Sequence, residues 1–128
     1  MDVTFTATDT LSGISGLATE VVVLGEGADQ TANSGTFTDV AGNTATGSLA
    51  GIDIDLTNPV ITAARDLTAN GAGWNKTLVK VTFTCTDVGG SGIDTCTLPE
   101  TLGEGNAQSS DGTAVDVAGN TASVTESG

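Results

Sequence analysis

Asp53, Asp55 and Asn58 crowd hard oxygen ligands into the short stretch "GIDIDLTNP". In an extended segment successive side chains point to opposite faces, so two aspartates two residues apart share one face. Calcium takes about six to eight oxygens from carboxylates, amides and backbone carbonyls. Asp39 or Asp87 would approach this segment from either side and add a carboxylate. Calcium is therefore the one candidate cofactor, and an ion bound there would stiffen a connector. Against it, no dense acidic run is present, and aspartate beside a connector is common.

Cys85 and Cys96 are the only cysteines, and the chain contains no histidine. Two thiols without further ligands do not make a zinc site. At a shift of 78 residues the cysteines align with Ala7 and Ala18. A joint exchange of two cysteines for two small residues points to positions that touch, which suits a disulfide between neighbouring strands. Such a bond belongs to an oxidising compartment. Two buried thiols are the alternative.

Other chemistries find little support. Without histidine there is no Ser-His-Asp or Cys-His arrangement. Glu26 and Glu104 occupy matching "LGEG" segments, one in each half of the chain, so a glycosidase-type carboxylate pair is not expected. Lys80 alternates with Val79 and Val81 and should face solvent, which disfavours a lysine isopeptide bond. No phosphate-binding loop is present. Asn75–Lys76–Thr77 has the form of a glycosylation sequon. Trp74, the sole tryptophan, either caps the open end of a sheet pair or stacks on a sugar. The enzyme classes that need these parts are thus disfavoured.

The elements that would position these residues come in two copies. "DVAGNTA" occurs at Asp39–Ala45 and again at Asp116–Ala122. "VTFTATD" (Val3–Asp9) matches "VTFTCTD" (Val81–Asp87), "SGI" at Ser12 matches Ser91, and "LGEG" at Leu24 matches Leu102. The shifts run from 77 to 79 residues, as expected if short insertions fall in loops. A unit of about 78 residues suits a small β-sandwich. The second copy is preceded by residues 51–80, and nothing equivalent precedes the first, which therefore lacks an initial strand.

Strands are expected wherever apolar residues alternate with threonine. Val3, Phe5 and Ala7 do so, as do Val79, Val81, Phe83 and Cys85. Further strands are expected near residues 20–24, 35–39, 44–49, 58–63, 94–98, 112–116 and 121–125. "DVAGNTA" joins the last two strands of each copy. Gly42 and Gly119 accept a left-handed backbone, Asn43 and Asn120 tolerate it, and Asp39 and Asp116 can accept loop amide hydrogens. These six are structural turn residues.

The chain is 128 residues, 38% hydrophobic, with three Phe, one Trp and no Tyr. Its scarcity of helix formers and abundance of Thr, Val and Gly describe an all-β protein. The net charge of −13 repels nucleic acid and anionic lipid. No run of about 18 apolar residues is present, so membrane insertion is not expected.

The order "TD…SGI", "DVAGNTA" and "GIDIDLTNPVIT" resembles the bacterial immunoglobulin-like repeats of large secreted and cell-surface, adhesin-type proteins. The resemblance covers nearly the whole chain. It implies two tandem immunoglobulin-like β-sandwich modules, residues 1–56 and 57–128, the first without its initial strand. It further implies an extracellular, non-catalytic spacer in a repeat array, with neighbouring copies of the module as partners. Two other functions stay open. One is a filament subunit, a homopolymer formed by strand donation through the open edge of copy one. The other is an accessory carbohydrate-binding module that uses Trp74.

Overall fold

The computed structural model describes residues 1–127. These residues form strands and turns with no helix. The chain divides into two compact units, Met1–Asp55 and a second from Leu56 onward.

In the second unit, strands β8 (Val60–Arg65), β9 (Val79–Thr86) and β11 (Glu100–Leu102) form one antiparallel sheet in the order β11-β9-β8. Strands β10 (Ile93–Cys96), β12 (Ser109–Asp116) and β13 (Thr121–Ser127) form another, in the order β10-β12-β13. Period-two alternation gives each sheet an apolar face. Ile61, Val81 and Phe83 from the first sheet meet Ala114 from the second, with Ala122 and Val124 of β13 packed against them. The core therefore lies between two sheets, consistent with a β-sandwich. Phe83 comes so close to β12 that a Cβ added at Gly112 would run into its ring. A glycine is needed there because the ring occupies the space of a side chain.

The chain changes sheets within the second unit. Thr97 N still donates to Thr113 O (3.0 Å) beside β12, whereas Glu100 pairs with Val81 of β9. Pro99, which has no N–H for a ladder, stands at the crossing. The crossing decides what the disulfide does. Cys85 on β9 and Cys96 on β10 are bonded, with Cα atoms 6.0 Å apart. The bond joins consecutive strands, as the sequence suggested, and these strands belong to different sheets. Closing a loop across 11 residues is worth about 3 kcal/mol in the chain-entropy account. The disulfide also fits a non-reducing compartment.

The first unit repeats this plan with more breaks. Strands β1 (Asp2–Thr6) and β3 (Thr19–Val23) pair from Asp2↔Val23 to Thr6↔Thr19. Strands β2 (Ile14–Ser15), β5 (Phe37–Asp39) and β6 (Thr44–Ala45) form a second sheet, and β4 (Gly27–Asn33) pairs with β7 (Ser48–Ile54). Its core is Val3, Ala32 and Ile52, with Phe5, Val22, Leu24 and Ile54 against it. Among the described residues β1 pairs with β3 alone, whereas β9 pairs on both edges. Ala7 and Ala18 are direct cross-strand neighbours, Ala7 N donating to Ala18 O at 2.8 Å. Here the crossing between sheets comes earlier, before Thr19, so the matching positions share a sheet.

Two expectations need correction. Gly51–Ile54 is not part of a connector: it completes β7, because Ile52 is buried in the core of the first unit. Strands β2, β4 and β11 arise where the sequence shows no clear alternation.

The close approach at Gly112 is testable. Gly112→Ala should lower the stability of the second unit by about 1–3 kcal/mol through overpacking. Gly103→Ala, where an added Cβ meets nothing within 4 Å, should be neutral or stabilising by up to about 1 kcal/mol. Urea unfolding followed by Trp74 emission distinguishes the two.

Candidate functional site

The repeated hairpin is built around a carboxylate. In the second unit Asp116 is only 2% exposed. Its Oδ1 accepts the Asn120 amide N–H at 2.8 Å and its Oδ2 accepts Asn120 Nδ2–H at 2.8 Å. In the first unit Asp39 receives Asn43 N–H at 2.8 Å and Asn43 Nδ2–H at 2.7 Å in the same way. The backbone closes alike in both. Asp39 N donates to Asn43 O (2.9 Å) and Gly42 N to Asp39 O (3.1 Å), and the second copy repeats these bonds at 3.1 and 3.2 Å. Gly42 and Gly119 have φ of 93° and 96°, the left-handed conformation this turn requires.

A second carboxylate organises the loop that precedes each "SGI". Asp9 accepts N–H groups of Leu11 (3.1 Å), Ser12 (3.0 Å) and Gly13 (3.0 Å), and the Ser12 hydroxyl (2.6 Å). Asp87 accepts N–H groups of Gly89 (3.3 Å) and Gly92 (2.8 Å). The two loops are then tied together, Val40 N donating to Gly13 O and Val117 N to Gly92 O, each at 2.9 Å. The paired loops bring two like charges close. Carboxylate oxygens of Asp87 and Asp116 lie within 4.8 Å of each other. Loop amides donate hydrogen bonds to both carboxylates.

Hydrogen bonding sets the acidity of the first unit's pair. The Ser12 hydroxyl, followed by the Leu11 amide, holds Asp9 below the ordinary carboxylate value of 3.8. Asn43's side-chain amide holds Asp39 below the same value, against partial desolvation and the charge of Asp9.

The other candidate ligands are placed differently. Asp53 lies on the exposed face of β7, and its Oδ1 accepts Asp29 N–H at 2.6 Å. Asp55 follows β7 and Asn58 precedes β8, Asp55 half-buried and Asn58 exposed. Among the described residues, Asp39 and Asp53 belong to no group of three acidic side chains close enough to share a cation. Each of Asp9, Asp39, Asp53, Asp87 and Asp116 accepts at least one backbone hydrogen within its own unit. This arrangement staples loops.

Sequence reasoning passed over two glutamines. Gln30 Nε2 donates to Gly25 O (2.9 Å) and Gly27 O (2.8 Å), and Gln108 Nε2 donates to Gly103 O (3.1 Å). They brace the "LGEG" loops, where Asp29 and Ala107 hold matching positive φ of 50° and 51°. The signal was present: both glutamines follow the leucine of "LGEG" by six residues.

Acid should weaken the first unit. The folded-state values of Asp9 and Asp39 are depressed, so their contribution is fully present above the ordinary 3.8 and is lost as pH falls through the folded values. Melting midpoints measured from about pH 5 down to about pH 2 should fall, and Asp39→Asn should reduce that slope relative to wild type. An unchanged slope would remove the hairpin carboxylate from the account. Comparison of the chain with protein-family models, curated proteins and solved structures finds no match, so the functional reading rests on this geometry.

Proposed function

We propose that the chain is a non-catalytic spacer, a pair of immunoglobulin-like modules from an extracellular repeat array such as an adhesin stalk. One observation supports this above the rest: the residues repeated between copies are consumed by the same turn hydrogen bonds in each unit. A loop copied for chemistry would leave its polar groups pointing at a substrate site. Here the carboxylates of Asp39 and Asp116 accept the backbone N–H of Asn43 and Asn120, and the side-chain amides of those asparagines donate to the same carboxylates. The acidic surface suits solubility outside the cell, and the disulfide suits an oxidising compartment. A spacer transmits load through modules that unfold one at a time, and the disulfide shortens the length that the second module can release.

Single-molecule extension of the chain tests this. Two discrete unfolding events are expected. Reductant should lengthen only the second unit's event, by about 30–34 Å, which is 11 residues at roughly 3.3–3.6 Å per residue less the 6.0 Å between the bonded Cα atoms. Extension without discrete events, or with no response to reductant, would contradict a load-bearing role.

A further inference from the structure

At one end of the second unit a groove of about 610 Å³ opens between the β8–β9 loop and the β11–β12 loop. That volume falls within the range of about 300–1,000 Å³ usual for small-ligand sites. From Trp74, Asn75, Asn106 and the Arg65–Glu126 ion pair that line it, we infer that this groove is a binding site for a neutral oligosaccharide.

The groove's floor is polar where a core would be apolar. On β8 the inward positions run Ile61, Ala63, Arg65, and on β13 they run Ala122, Val124, Glu126. The last member of each series is charged, and Arg65 Nε meets Glu126 Oε1 at 2.8 Å across the two sheets. In the first copy the position matching Glu126, at the 77-residue shift of the hairpins, is Leu49. A buried or half-buried ion pair adds little to stability compared with apolar packing. Both side chains keep about a quarter to a third of their surface (34% and 24%), so they present a fixed donor and a fixed acceptor to whatever enters.

Trp74 stands on the wall. It is 56% exposed and does not serve as a buried cap. A closed turn holds it in place: Asn70 N donates to Trp74 O (2.9 Å), and Asn70 Oδ1 accepts the N–H groups of Ala72 (2.9 Å) and Trp74 (3.0 Å). An exposed indole on a backbone fixed in this way offers an apolar plane to the C–H face of a pyranose, with a polar edge beside it. Planar amides of Asn75 and Asn106 add paired donors and acceptors for adjacent hydroxyls.

Charge selects the class of ligand. The chain carries −13 overall, with only three cationic side chains. Two of them, Arg65 and Lys76, line the groove opposite two acids, Glu104 and Glu126, so the lining is neutral within an acidic molecule. An anionic polymer would meet repulsion from the surrounding surface, and a cation would find no excess negative charge in the groove. A neutral, hydroxyl-rich ligand suits both features. A proline-rich peptide is disfavoured because such ligands dock between several aromatic ridges, and this chain has one Trp and no Tyr. The inference is independent of the spacer role, since a module in an array can also hold a glycan.

The sole tryptophan makes the test direct. The full chain is titrated with hexasaccharides of β-1,4-glucan, xylan, mannan and β-1,3-glucan, with hexagalacturonate and hexaproline as contrasting probes. Trp74 emission and calorimetry are both recorded. A saturable change with at least one neutral hexasaccharide is expected. Calorimetric affinity should fall about thirtyfold in Trp74→Ala and should also fall in Asn75→Ala, with the melting midpoint of each variant unchanged. Silence from every neutral hexasaccharide would overturn the proposal. So would tighter binding of hexagalacturonate or hexaproline, or an affinity left unchanged by Trp74→Ala.

Discussion

The carboxylate of Asp116 is the hinge on which the second unit's architecture turns. It is buried, it receives both nitrogens of Asn120, and it thereby closes the turn between β12 and β13. That closure sets the register Val115↔Thr121 and with it every pair down to Ser109↔Ser127. A slip of one residue would turn Ala122 and Val124 away from the core and Ser123 and Thr125 into it. Asp39 and Asn43 impose the same condition on the first unit. Seven letters repeated twice are thus one physical constraint used twice.

The constraint matters because the cores are small. Four buried side chains form the centre of the second unit and three that of the first. Such cores supply limited hydrophobic stabilisation, and domains of this size lean on additional devices. Carboxylate-stapled loops, glutamine-braced turns and, in the second unit, a disulfide between sheets are those devices here. The first unit has alanine at both cysteine positions and keeps a direct backbone bond between them. The two copies have reached related folds with different reinforcement.

Much of this was legible in the sequence, for identifiable reasons. Val3–Ala7 and Val79–Cys85 read as strands because alternation of apolar residues with threonine is a local property. The joint Ala-to-Cys exchange pointed to a disulfide, and Cys85 and Cys96 are bonded. Which sheets the bond would join was not legible, because it depends on where the chain crosses near Pro99. Strand β4, "GADQTAN", has little apolar pattern and owes its form to pairing with β7. The groove was hidden for a related reason. Trp74 stood out alone, but Arg65 and Glu126 are 61 positions apart (126 − 65), and only the stacking of two sheets makes them partners. The spacing of Asp53 and Asp55 shows in the sequence, whereas the hydrogen bond from the Asp29 amide to Asp53 Oδ1 does not, because it depends on the pairing of β4 with β7.

The account holds that the repeated letters serve folding, and a double-mutant cycle on Asp116 and Asn120 measures this most directly. Asp116→Ala, Asn120→Ala and the double variant would be unfolded in urea, with Trp74 emission reporting on the second unit alone. Two hydrogen bonds to a buried carboxylate predict a coupling energy of about 1–3 kcal/mol, each single variant being nearly as unstable as the double. Additive costs, or single variants as stable as wild type, would contradict the account.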